Sequence, residues 1–270
     1  MKPVQIKNLL LGEGIPKICV PLVADEPSAL LSQAALLKTT PADLAEWRID
    51  WMDHILSPGY LSELLPLLRN ELGELPLLIT FRTLREGGRM PASWAEYETA
   101  VTEAICSGLA DAVDVELFAG EGAETEDGAS VPEHTWALPS RLIALAKEHG
   151  VRVILSSHDF NTTPSEEEII SRLTQMDALG GDIAKIAVMP QCPEDVLALL
   201  SATARTKNTL SCPVITMSMK GAGLISRLCG EVFGSCLTFG SAGEASAPGQ
   251  IDAGELHHIL EVIHENLKPQ

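Results

Sequence analysis

Eight short apolar runs alternate with eight longer amphipathic ones along the 270 residues, and most of the short runs are apolar throughout. Strands that are apolar on both faces belong to parallel sheets covered on both sides. Strand–helix alternation repeated this often closes most economically into a barrel. The sequence therefore predicts an α/β fold, a single (β/α)8 TIM barrel, with residues 1–270 forming one catalytic domain. A doubly wound open sheet is the alternative, and it is disfavoured because no Gly-rich dinucleotide loop follows the first apolar run.

Residues 1–12 precede the barrel pattern, and Val4 to Ile6 is expected to begin a short β-hairpin closing the barrel bottom. The strands are predicted at Ile18–Val23, Leu44–Ile49, Leu77–Phe81, Ala112–Leu117, Arg152–Ser156, Ile183–Ala187, Val214–Met217 and Ser235–Phe239. Ser28–Lys38 is the first helix, with a serine N-cap before an Ala/Leu pattern. Ser57 and Pro58 open the second, which runs to about Leu72 with Pro66 inside as a break or kink. Ser93–Cys106 and Pro139–His149 follow. Thr163, Pro164 and Ser165 start the next, with Glu166, Glu167 and Glu168 against the positive end of the helix dipole. Pro193–Ala204, Leu224–Phe233 and Asp252–Asn266 complete the set. Residues 119–134 are acidic and rich in Gly and Ala, and read as a mobile surface insertion.

The 46% hydrophobic content supplies a large core, and no apolar run is long enough to span a membrane. The first residues lack a signal-peptide pattern, which points to a cytoplasmic protein. Thirty-seven acidic against 19 basic residues give a formal net charge of −18, which argues against nucleic acid as a partner. A few buried arginines would still make a local site for a small anion. The six cysteines form no CxxC pair and no zinc spacing, so no metal site is expected. Cys19 and Cys106 sit in apolar sequence and read as free thiols in or near the core.

In a barrel of this kind the chemistry sits at the C-terminal ends of the strands and in the loops after them. Polar residues at those places are Glu46, Arg48, Arg82, Glu86, Asp114, Glu116, Ser157, His158, Asp159, Lys185, Arg227, Ser246 and Gln250. Buried ionisable groups cost several kcal/mol each unless paired, so such a cluster needs a reason. Lys185 lies in the otherwise apolar run IAKIAVM. Desolvation lowers a lysine pKa and leaves an amine able to attack a carbonyl; a lysine snorkelling to solvent or pairing with a carboxylate is the other reading. His158 ends the run VILSSH and suits proton transfer near neutral pH, or a loop hydrogen bond. Arg48, Arg82 and Arg227 come from separate parts of the chain. Each could pair with a protein carboxylate, and three in one pocket would suit a substrate carboxylate and hydroxyls. The run from Gly240 to Ile251 is made of small residues and suits a loop that closes over a pocket, or a passive one.

Taken in order, the runs EWRID (46–50), TFRTLREGG (80–88), DVELF (114–118), SHDF (157–160), KIAVMP (185–190), MSM (217–219), ISRLCGEVFGS (225–235) and ASAPGQ (245–250) resemble the type I 3-dehydroquinate dehydratases along nearly the whole chain. The resemblance implies dehydration of 3-dehydroquinate to 3-dehydroshikimate in the shikimate pathway, with no metal or organic cofactor and as a homodimer. It assigns the imine to Lys185, proton transfer to His158 and the hold on that histidine to Glu86. It assigns the substrate carboxylate to Arg227, Ser246 and Gln250, the ring hydroxyls to Glu46, Arg48 and Arg82, and apolar walls to Met217 and Met219. At Pro21 many relatives carry a serine, so that contact is not transferred. The 119–134 segment also exceeds the length expected of bacterial relatives.

Two other functions are weighed. A class I aldolase-type barrel also uses a Schiff-base lysine, but it would carry a phosphate-binding Gly loop where Arg227 and the Ser/Ala/Gln segment stand. A non-catalytic substrate-sensing relative would be expected to lack Lys185 or His158.

Overall fold

The computed structural model describes residues 1–121, 135–243 and 250–268. The acidic stretch from 122 to 134 and Ser246 lie outside the described residues. The N-terminal hairpin pairs β1 (Val4–Ile6) antiparallel with β2 (Leu9–Leu11). Eight parallel strands follow: β3 (Lys17–Leu22), β4 (Leu44–Arg48), β5 (Leu77–Thr80), β6 (Ala112–Glu116), β7 (Arg152–Asp159), β8 (Ile183–Val188), β9 (Val214–Ser218) and β10 (Leu237–Ser241). From β3 to β9 each pairs with the next, and β10 pairs with β3. The remaining seam closes through a parallel bridge between Val214 and Ser235, with the Cys236 N–H donating to the Val214 carbonyl at 2.9 Å. A short β11 (Ile251–Asp252) adds to β10.

Helices wrap the outside: α1 (Pro27–Leu36), α2 (Tyr60–Leu72), α3 (Trp94–Cys106), α4 (Ala137–His149), α5 (Glu166–Ala178), α6 (Pro193–Thr206), α7 (Leu224–Leu228), α8 (Gly230–Phe233) and α9 (Ala253–Leu267). Helix α3 starts on a full capping box between Ser93 and Glu96, and α5 on Ser165 accepting from the Glu168 N–H. Three local expectations change. Helix α2 begins at Tyr60, after Gly59 in a left-handed conformation, rather than at Ser57. Pro66 does not end it, because Leu61, Leu64, Leu65, Leu68 and Leu72 anchor the buried face while Pro66 faces outward. The predicted Leu224–Phe233 helix divides at Cys229 into α7 and α8.

Successive strand residues face opposite sides, and this alternation separates two cores. Val20, Leu22, Ala45, Trp47, Ile79, Val113, Val115, Val153, Leu155, Ile186 and Val188 pack outward against the helices. Cys19, Leu44, Leu78, Ala112, Ile154, Ile183, Ile215 and Leu237 fill the lower interior together with Ile6, Leu9 and Leu11 of the hairpin. The hairpin is thus the floor of the barrel. Cys106, expected near the core, ends α3 in an exposed position, and Cys192 is exposed as well; the other four thiols are buried. The helix face set by Tyr97, Ala100, Val101, Ala104 and Ile105 turns Cys106 away.

Leu11 is fully buried in that floor. Leu11→Ala is expected to lower stability by about 2–5 kcal/mol, read as a fall in the urea unfolding midpoint.

Candidate active site

Two residues above the apolar interior layer, the same alternation places a polar layer. Ala112 is followed inward by Asp114 and Glu116, Ile154 by Ser156 and His158, and Ile183 by Lys185. The pocket at this end is lined by Glu46, Arg48, Arg82, Glu86, His158, Lys185, Met217, Met219, Arg227 and Gln250. These are all the residues to which the resemblance assigns a role except Ser246, whereas Asp114, Glu116, Ser157 and Asp159, also expected at the strand ends, do not line the pocket. Pro21, Thr80, Phe160, Ala187 and Phe239 complete the described lining.

Lys185 is 3% exposed. Its Nζ lies 3.0 Å from Asp114 Oδ2 and 3.8 Å from Glu46 Oε1, and 4.8 Å from the centre of the Phe239 ring. Asp114 also meets Arg82 Nη2 at 2.8 Å and accepts from Ser156 Oγ at 2.6 Å. Burial would raise the Asp114 carboxyl, but Arg82, Lys185 and His158 outweigh it and hold the group below the usual carboxylate range. Glu46 accepts from Thr80 Oγ1 at 2.8 Å.

Arg82 is the hub of the acids. It reaches Glu116 at 3.0 Å and Glu86 at 3.3 Å besides Asp114. Burial alone would lower its pKa; the three carboxylates raise it well above the ordinary value. Glu116 is further tied to the Thr83 N–H and hydroxyl at 2.8 and 2.7 Å.

Glu86 Oε2 meets His158 Nδ1 at 2.8 Å and accepts the His158 backbone N–H at 3.0 Å. Burial, then Glu116, pushes the Glu86 carboxyl well above its usual range. Burial, then Arg82 and Lys185, pushes His158 well below 6.5. Both directions oppose an ion pair and favour the neutral imidazole, with Nδ1 facing Glu86.

The three arginines are not equivalent. Arg48 forms a bidentate pair with Asp50 at 2.7 and 2.8 Å. Arg82 is saturated by the acids above. Arg227, on α7, is 3% exposed, has no carboxylate partner among the described residues, and its buried Nε has no hydrogen-bond partner. Burial lowers its pKa to about 10, so it is still a cation at neutral pH. A buried cation without a counter-charge suits an anionic ligand.

Sequence reasoning gave no role to Asp50 or Phe239 and placed Asp114 only among strand-end acids. Inward alternation from Ala112 was the available signal for Asp114. Nothing local marks Phe239, which approaches Lys185 only when the barrel closes.

The fold and this site define a (β/α)8-barrel enzyme whose pocket joins a buried amine, a histidine hydrogen-bonded to a glutamate and a buried guanidinium. Residues 18–267 match the family described as type I 3-dehydroquinase. A 3-dehydroquinate dehydratase of Listeria welshimeri is 46% identical over 266 residues, covering 98% of this chain and 99% of its own. A crystal structure of the type I enzyme of Clostridium difficile, with covalently modified comenic acid, superposes with a TM-score of 0.90 at 43% identity, covering 98% and 99% of the two chains. The 3-dehydroquinate dehydratase of Geobacillus kaustophilus gives a TM-score of 0.88 at 34% identity over 99% and 98%. The chain belongs to the type I 3-dehydroquinase family. Its reaction is the hydro-lyase step of that family, dehydration of 3-dehydroquinate in the shikimate pathway.

Asp114→Asn removes an anion shared by Arg82 and Lys185 and is expected to cost about 3–5 kcal/mol of stability. Arg227→Met removes a charge with no such partner among the described residues and is expected to leave the urea midpoint unchanged or raised. Parallel unfolding curves check the contrast.

Proposed function

We propose that dehydration proceeds through an imine between Lys185 and the C3 ketone of 3-dehydroquinate. The observation that carries this reading is a primary amine buried in a pocket whose wall also holds the Arg227 guanidinium, which has no carboxylate partner among the described residues. As free amine, Lys185 adds to the ketone, and loss of water gives a protonated imine. That imine acidifies the C2 hydrogens. His158, oriented by Glu86, takes one of them, and the electron pair moves onto the imine nitrogen as an enamine. The enamine then expels the C1 hydroxyl, which leaves as water with the proton from His158. Hydrolysis of the conjugated imine releases 3-dehydroshikimate and restores Lys185.

Arg227 would bind the substrate carboxylate with Ser246 and Gln250, while Glu46, Arg48 and Arg82 would meet the ring hydroxyls. Met217 and Met219 would form apolar walls. That the Clostridium difficile relative was crystallised with covalently modified comenic acid supports covalent chemistry with a small acid. Our reading also takes residues 1–270 as one catalytic domain of a cytoplasmic homodimer acting on a small molecule, and the −18 charge supports the absence of nucleic acid.

Incubation with 3-dehydroquinate and borohydride, followed by mass spectrometry, is expected to find the reduced adduct on Lys185. An unmodified protein, or a Lys185→Met variant with full turnover, would contradict the imine. His158→Ala is expected to form adduct and turn over very slowly.

The pH dependence follows from the direction of the His158 shift. The base is the neutral imidazole, and its pKa lies well below 6.5. Protonation therefore removes the base only at lower pH, and kcat/KM should hold its plateau down through 6.5 and fall beneath it. An acidic limb centred at or above that value would count against the assignment.

A further inference from the structure

Asp50 follows Arg48 by two residues, just beyond the end of β4, and its side chain has no exposure at all. Its carboxylate has four donors. Oδ1 accepts from Arg48 Nε at 2.7 Å and from the Arg82 backbone N–H at 3.3 Å. Oδ2 accepts from Arg48 Nη2 at 2.8 Å and from the Arg89 backbone N–H at 3.1 Å. Arg82 and Arg89 are the two ends of the loop that carries Glu86. One carboxylate therefore holds a pocket arginine with both oxygens and staples both ends of the loop behind His158.

The loop has little freedom to settle elsewhere. The Gly88 N–H donates to the Thr83 carbonyl at 2.8 Å, and a Cβ at Gly88 would stand 1.8 Å from the Arg82 carbonyl oxygen. At Gly87, φ is +84°, and a Cβ would fall 2.3 Å from the Phe160 ring. The chain is thus folded tightly back on itself between the two N–H groups that Asp50 receives. Among the described residues Asp50 is the sole acid paired with Arg48, so without it that guanidinium has no fixed direction.

We infer that Asp50 is a positioning residue that sets Arg48 and the Glu86 loop relative to each other, coupling substrate placement to the histidine that moves the proton. This rests on the roles given above to Arg48, Glu86 and His158. A residue serving only as an arginine partner would affect binding alone. A residue that also staples the loop would affect the proton-transfer step, because displacement of an aligned group by a fraction of an ångström slows reaction steeply.

The test compares KM and kcat in Arg48→Met, Asp50→Asn and Gly88→Ala with the wild-type enzyme. Arg48→Met should raise KM and keep kcat within about twofold. Asp50→Asn keeps the size of the side chain but turns an NH2 group toward existing donors. It should raise KM as Arg48→Met does and also lower kcat by about tenfold or more. Gly88→Ala pushes the loop at the Arg82 carbonyl while leaving the Asp50 carboxylate in place, and it should lower kcat, so the idea stands or falls even if Asp50→Asn cannot be purified. A kcat within about twofold of wild type in Asp50→Asn, or in Gly88→Ala, overturns the coupling. Borohydride trapping on the wild-type enzyme separates the two levels: failure to label Lys185 defeats the imine reading, whereas labelled wild type with an unaffected Asp50→Asn defeats only the role of Asp50.

Discussion

An ionised group leaves water only at a cost of several kcal/mol, and the mouth of this barrel buries Glu46, Arg82, Glu86, Asp114, Glu116 and Lys185 side by side. Their signs are interleaved, which makes the cluster tolerable. Asp114 sits between Lys185 and Arg82, and Arg82 sits between Asp114, Glu116 and Glu86. Hydroxyls of Thr80, Thr83 and Ser156 take up further lone pairs. Each group is held by partners on other strands, so the registers of β4 through β8 and the charge pattern depend on each other.

The layer beneath makes this possible. Apolar side chains from all eight barrel strands and the hairpin exclude water from below, so charges above them interact in a medium where attraction is strong and orientation is fixed. The same dryness raises Glu86, lowers His158 and keeps the pair from separating charge. Arg227 departs from the pattern of compensation. Among the described residues no carboxylate pairs with it, which sets it apart from Arg48 and Arg82.

Legibility from sequence tracked how local the signal was. Lys185 stood out because an ammonium in an apolar run is costly, whatever the surroundings. The hairpin and the strand–helix rhythm were readable because alternation and capping involve neighbours in sequence; helix α5, with Ser165 and three glutamates, is the plainest case. Helix α2 was less legible, since its leucine face overrides a proline, and Cys106 was misjudged because one residue of helical rotation separates core from solvent. Asp50 gave no signal, because its four donors come from Arg48 nearby and from a loop more than thirty residues away.

The sequence by itself determined the barrel, the floor and the residue types gathered at the mouth, because period, capping and ordered motifs are properties of neighbouring residues. Only the tertiary structure decided how three similar arginines divide their work. Arg48 is claimed by Asp50, Arg82 by three acids, and Arg227 by no carboxylate among the described residues. The physical reason is that a charge is defined by what stands within about 4 Å of it, and those neighbours come together only when the strands close into a ring.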